Sequence, residues 1–258
     1  MKTKTTLLLI GLLSAKLLLA QGTPGALQII ENVYRRPTPR DQQAELQMSL
    51  INSRGEERTR QIMQYLKTYS DMDKKIMFFK SPADVRNTTF MNWSYDDESR
   101  DDDQWIYLLA LQKIKRISSD SKSDYFMGSD FTYDDLGERH PSEDTHRIIT
   151  EETINGEECF VVESIPVDEN YMYSRTVTWV IKDKWISLKK EFYDEDEELL
   201  KILTVKEYQN ISGYWIILNT EMHNVQKDHL TRIKLSNLVI DSGISDTQFT
   251  ERMMRRGL

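Results

Sequence analysis

Residues 105–136, WIYLLALQKIKRISSDSKSDYFMGSDFTYDDL, decide the fold. The run Trp105-Ile106-Tyr107-Leu108-Leu109 is aromatic and branched, and apolar on both faces, which predicts a strand covered on both sides. Lys113-Ile114-Lys115-Arg116-Ile117 alternates basic and apolar residues, as a half-exposed strand does. The polar cluster at 118–123 reads as a loop. Beyond it, Phe126, Met127, Phe131 and Leu136 are spread among Asp and Gly, a spacing that fits a short irregular helix or a lid and not a long helix.

Strand patterns extend to either side. Ala44, Leu46, Met48 and Leu50 alternate with Gln43, Glu45, Gln47 and Ser49, the mark of a half-buried strand. Extended segments are expected over 58–69, 75–80 and 88–95. Downstream, Asn155-Gly156 separates two strand patterns and tolerates the positive φ values of a tight hairpin. Further strands over 176–181, 185–193, 199–208, 214–225 and 230–240 form a meander. Leu27, Ile30, Val33 and Tyr34 form the apolar stripe of an N-terminal helix, which either packs on the core or plugs a cavity. Ser245 or Asp246 caps a terminal helix carrying Phe249 and Met253 on one face.

There is no repeat of fixed period and no linker, so residues 21–258 are expected to form one domain. A long antiparallel sheet must curl or cover itself. The predicted fold class is therefore mainly β with helices (α+β): a curved antiparallel half-barrel with helices over its concave face. A closed barrel is the alternative.

Residues 1–20, MKTKTTLLLIGLLSAKLLLA, have the basic start and short apolar core of a cleaved signal peptide. Cleavage would remove three lysines, leaving 31 basic against 42 acidic residues, a net charge of −11. Such a balance gives no support for nucleic-acid binding and opposes standing adhesion to anionic lipid. The single cysteine, Cys159, excludes an internal disulfide and reads as a small buried apolar residue.

Groups for catalysis are sparse. The acidic run at 95–103 lacks the glycine and terminal glutamate of an EF-hand and reads as a solvated hairpin tip. His223 and His229 straddle a turn and could face each other, but a lone pair supplies too few ligands for structural zinc. No G-x-S-x-G elbow, phosphate loop or dinucleotide fingerprint occurs. The expectation is a protein that is no enzyme and that takes no cofactor or metal. Apolar surface remains, including ten methionines after residue 20, whose flexible thioethers suit variable apolar ligands.

The strings LLALQKIKRIS and FMGSDFTYDDL resemble the signature block of outer-membrane lipoprotein-sorting-like proteins of the LolA-like superfamily. Ala110, Lys113, Arg116, Ile117, Gly128, Asp130, Phe131, Tyr133, Asp135 and Leu136 carry the likeness, and Leu109 stands where the family has proline. The resemblance implies a half-barrel and a periplasmic carrier or chaperone of acyl chains of lipids or lipoproteins. It also implies transient membrane contact and an inner-membrane transporter partner of the resistance-nodulation-division type. The alternative it offers is a lipid-sensing regulatory module. Trp105, Tyr107 and Leu109, with Phe126, Met127 and Phe131 from the lid, are the candidate lipid-binding groove residues.

Overall fold

The computed structural model describes residues 24–258, so the signal peptide expected over 1–20 lies outside the described residues. Helix α1 (Ala26–Tyr34) leads into strands β1 (Asp41–Ile51), β2 (Glu57–Thr68), β3 (Met72–Ser81), β4 (Thr89–Tyr95), β5 (Asp103–Leu108) and β6 (Lys113–Arg116). A long crossover, residues 117–143, follows. Strands β7 (Asp144–Ile154), β8 (Glu157–Pro166), β9 (Arg175–Ile181), β10 (Ser187–Tyr193), β11 (Leu199–Ile211), β12 (Tyr214–Asn224) and β13 (His229–Ile240) precede helix α2 (Glu251–Arg256).

All thirteen strands form one antiparallel sheet, ordered β6-β5-β4-β3-β2-β1-β13-β12-β11-β10-β9-β8-β7. Two meanders are joined where the first strand pairs with the last, Met48 opposite Ile233 and Leu50 opposite Thr231. Strands β6 and β7 are edges and do not pair with each other, so the sheet is open, unlike the closed-barrel alternative. Asn155 and Gly156 make the expected hairpin turn, with φ values of 53° and 85°.

The crossover links one edge strand to the opposite edge strand, so it must traverse a face of the sheet. Its contacts measure the curvature. Lys75 of β3 donates to the Leu136 carbonyl, and Lys201 of β11 bonds Asp135, the residue before it. Those strands stand five positions apart in the sheet. On a flat sheet five spacings cover about 24 Å. Two lysine side chains meet at adjacent residues only because the sheet wraps around the crossover, here called the strap. The face it covers is the inner face.

Alternation sorts the side chains. Leu46, Met48, Ile62, Met77, Phe79, Phe90, Phe192 and Met222 meet the strap's Phe126, Phe131 and Leu136 in the inner core. Helix α1 covers the inner face further along, with Ile29 buried against Phe160, Val162 and Val180. Leu27, expected on the packing stripe, is 49 % exposed, because the buried side of the helix is Ala26, Ile29, Ile30 and Val33.

The outer face carries two further clusters. Val161, Val177 and Trp179 pack with Val205, Tyr208 and Trp215 near bulges in β11. Ile76, Phe78, Met91 and Tyr107 pack under Phe249 and Met254 of the C-terminal segment. The expectation that the helices cover the concave face therefore holds for α1 and for the one-turn helices of the strap; α2 lies on the opposite side.

Candidate functional site

The strap contains no long helix. Its centre is a miniature hairpin, bridged at Tyr125 and Thr132, with Phe126 N–H donating to the Phe131 carbonyl. Met127 and Gly128 turn the chain with φ of 51° and 73°, a conformation glycine adopts without steric cost. The turn sinks Phe126 and Phe131 into the inner core at 0 % and 7 % exposure. Phe126 meets Phe90 with ring centroids 5.1 Å apart, and Met127 packs beside them, partly buried. The Asp135 carboxylate accepts from Thr132 N–H at 2.7 Å and closes the next turn.

Among the described residues, backbone-to-backbone hydrogen bonds of residues 118–142 stay within the strap. Side chains attach it to the sheet. Gln104 donates to the Tyr133 carbonyl at 2.8 Å, and Asp102 accepts from Glu138 N–H at 3.0 Å. Asn224 donates to the Tyr125 hydroxyl at 3.0 Å. Asp130 N–H donates to the Thr231 hydroxyl, which donates back to the Asp130 carboxylate at 2.6 Å, and His229 Nδ1 lies 2.7 Å from that carboxylate. Lys201, fully buried, bonds the Asp130 carbonyl and forms an ion pair with Asp135 at 2.5 Å. Tyr173 donates to the other Asp135 oxygen, and Tyr171 donates to Asp134.

Beside the strap the inner face keeps a cavity of about 180 Å³. Phe131, Tyr173, Phe192, Leu203 and Met222 form its apolar wall; Asp134, Asp135, Arg139, Asp144, Thr176 and Lys190 form its polar one. Burial pushes the Asp134 carboxyl above the ordinary carboxylate range. Burial lowers the Lys75 and Lys190 ammonium groups, and nearby carboxylates partly offset this. A larger surface recess, about 800 Å³, shares Asp134, Arg139 and Tyr171 with the cavity.

The six candidate groove residues do not share one surface. Phe126, Met127 and Phe131 sit together on the inner side of the strap. Trp105 and Tyr107 face outward, packed with Trp93, Met91 and α2. The reason is the register of β5: Gln104 and Ile106 pair with Asn92 and Phe90, whose side chains point inward, so their alternates point out. Leu109 lies on a one-turn 3-10 segment after β5 and is 43 % exposed.

Other sequence readings are placed as follows. Cys159 is fully buried, its thiol pushed up to about 11 chiefly by burial. His223 and His229 do not face each other, since Asn224 stands opposite His229 and Leu230 opposite His223. The acidic run at 95–103 is only partly a solvated tip. Asp102 latches the strap, and Asp103 binds Arg116, Arg100 and Tyr95. Lys75, Lys190, Lys201 and Thr231 were not legible as site residues, because a polar residue in a strand points inward only once the register is known.

The open antiparallel sheet, wrapped around its own edge-to-edge crossover, is a LolA-like fold. A LolA superfamily protein from Nitrosomonas europaea shares it with a TM-score of 0.68 at 18 % identity, over 90 % of this chain and all of that one. Two solved structures are nearer. An outer membrane lipoprotein-sorting protein domain from Vibrio parahaemolyticus is 35 % identical, with a TM-score of 0.83 over 90 % of this chain and 98 % of that one. A DUF1329 family protein from Desulfovibrio piger is 30 % identical, also with a TM-score of 0.83, over 88 % and 97 % of the two chains. A family model whose description reads only "Uncharacterized protein" matches residues 71–256. The chain belongs to this DUF1329 family of outer-membrane lipoprotein-sorting-like proteins. No curated protein matches it. Among the described residues no helix is long and apolar enough to cross a membrane.

Proposed function

We propose that this protein is a non-enzymatic carrier or chaperone of acyl chains, belonging to lipids or lipoproteins, that move through the cell envelope. In this reading the chain is exported by its N-terminal segment, acts in the periplasm, touches membranes transiently and works with an inner-membrane transporter of the resistance-nodulation-division type. One observation carries the proposal. The apolar inner face is covered by a strap that no backbone-to-backbone hydrogen bond ties to the sheet over residues 118–142 among those described.

The energetics favour exchange between strap and ligand. The cavity of about 180 Å³ is comparable to engineered cavities of about 150 Å³ that hold benzene. A long acyl chain therefore needs the strap to move. Withdrawing Phe126, Phe131 and Leu136 from the inner core forfeits about 1.5 to 3 kcal/mol each. Burying a dozen methylenes returns roughly 10 kcal/mol, at ~0.8 kcal/mol for each methylene. The two terms are of similar size, as a carrier that must also release its load requires. Phe126, Met127 and Phe131 then act as the covering residues that the acyl chain replaces. Trp105, Tyr107 and Leu109 are left for contacts on the other face and at the hairpin tip.

The test is organic extraction of protein purified from its native envelope, paired with uptake of a fluorescent acyl probe by the apoprotein. Co-purifying lipid and saturable uptake are expected. A preparation that yields no lipid and takes up no probe would end the proposal.

A further inference from the structure

The inner face is free of charge along one cross-strand row except at a single position. In register, the row runs Val162, Thr178, Lys190, Leu203, Met222, Thr231 and Leu50 from β8 to β1. Lys190 interrupts it with a charge on the wall of the cavity.

The other charges on that wall are already bonded. Asp144 holds Arg139 at 2.7 Å, Asp135 holds Lys201 at 2.5 Å, and Asp134 accepts the Tyr171 hydroxyl. Among the described residues, no carboxylate oxygen lies within 4.0 Å of Lys190 Nζ, and that ammonium donates no hydrogen bond; the Phe192 ring lies beside it, 5.1 Å to the centroid. Thr176, on the same wall and 7 % exposed, has a hydroxyl that bonds no other described protein group. Lys190 is half-buried, and an ammonium partly withdrawn from water without a bonded counter-charge gains from a ligand anion. The lowered pKa of Lys190, caused first by burial, agrees with that desolvation.

We infer that this cavity is the head-group site for a single-chain amphiphile with an anionic head, a carboxylate or a phosphate monoester. Lys190 and the Thr176 hydroxyl hold the head. The tail crosses Leu203 and Met222 beneath Phe131, along the register row. This assignment rests on the carrier reading for the tail and adds to it the chemistry of the head.

The experiment is competition against a fluorescent acyl probe by palmitate, by the alcohol of the same chain length and by palmitoyl lysophosphatidate, on the full-length mature protein. The two anions are expected to bind about tenfold more tightly than the alcohol. Lys190→Met, which keeps the length of the side chain, is expected to lose the preference for either anion over the alcohol. Thr176→Val is expected to reduce the preference without removing it. The relative affinity of palmitate and lysophosphatidate decides between the two heads. Equal binding of acid and alcohol by the parent protein, or a preference that survives in Lys190→Met, overturns the head-group site while leaving the carrier reading intact. Binding of none of the three overturns both.

Discussion

Each face of the first meander carries an apolar cluster, but the two are covered in different ways. On the outer face, α2 and Phe249 lie over Ile76, Phe78, Met91 and Tyr107, and the polar tether nearest the helix is one bond from Thr89 to the Met254 carbonyl. On the inner face the strap buries Phe126, Phe131 and Leu136, but it is also pinned by Lys201, Asp130, Asp135 and Thr231, all desolvated. Buried ion pairs add little net stability, since desolvation consumes most of the attraction. They are demanding about position, however, and removing one partner strands the other. The outer cover is thus held by contact area, and the inner cover by a few bonds that fix where it sits. A cover of the second kind fits a segment that leaves and returns to one place.

The largest expected effect that separates the two covers comes from the ion pair. Lys201→Ala leaves Asp135 buried without its cation and should cost about 3 to 5 kcal/mol by denaturant titration. The double replacement Lys201→Met with Asp135→Leu should recover most of that loss. Hydrogen exchange would place the Lys201→Ala loss in residues 124–136 and leave α2 protected. Uniform loss of protection across both regions would show that the strap is no separate unit. Phe126→Ala and Phe249→Ala come next, each about 3 to 5 kcal/mol or somewhat less where the core relaxes. Their stability costs should be alike and their functional effects different. Phe126→Ala should take up the acyl probe more readily, whereas Phe249→Ala should not change uptake beyond its loss of folded protein. Smaller still is Gly137→Ala. An added Cβ there would stand 2.5 Å from Asp102 Oδ2, which also bonds Ser94 and Glu138 N–H. The strap should loosen by about 1 to 2 kcal/mol at its Gly137 end alone, read as faster exchange at Glu138.

How much of this was legible beforehand depends on the kind of signal. The meanders were, because alternation over β1 and the Asn155-Gly156 turn are local. The irregular form of the crossover was also legible, since Phe126, Phe131 and Leu136 amid Asp and Gly cannot form a helix or strand of ordinary length. Trp105 and Tyr107 could not be assigned to a face. β5 is apolar on both sides, and only its pairing with β4 shows that Gln104 points inward. Lys190 was hidden for a related reason: Leu188, Lys189 and Lys190 straddle a bulge opposite β9, and a bulge shifts the face on which each later residue falls.

The finest distinction between the covers is their response to acid. Burial raises the Asp134 carboxyl on the strap, with Asp135 adding to the shift and Tyr171, Arg139 and Lys122 opposing it. A carboxyl whose folded pKa lies above its unfolded value adds stability below the unfolded pKa, and that stability is lost as pH rises through the folded one. At the approach to α2, Asp246 is lowered by its bonds to Lys67 and Tyr69, both at 2.6 Å. Its contribution has the opposite sign, present above the unfolded pKa and lost as pH falls through the folded one. Above the ordinary Asp pKa of about 4 the strap should therefore become easier to open as pH rises, and below it the segment before α2 should loosen as pH falls. Hydrogen exchange corrected for intrinsic rates would follow the two regions separately. Asp134→Asn should flatten the strap's trend and leave the other unchanged, and Asp246→Asn should do the converse. If both regions move in the same direction with pH and neither substitution alters its own trend, the electrostatic distinction between the covers is lost and only the difference in contact area remains.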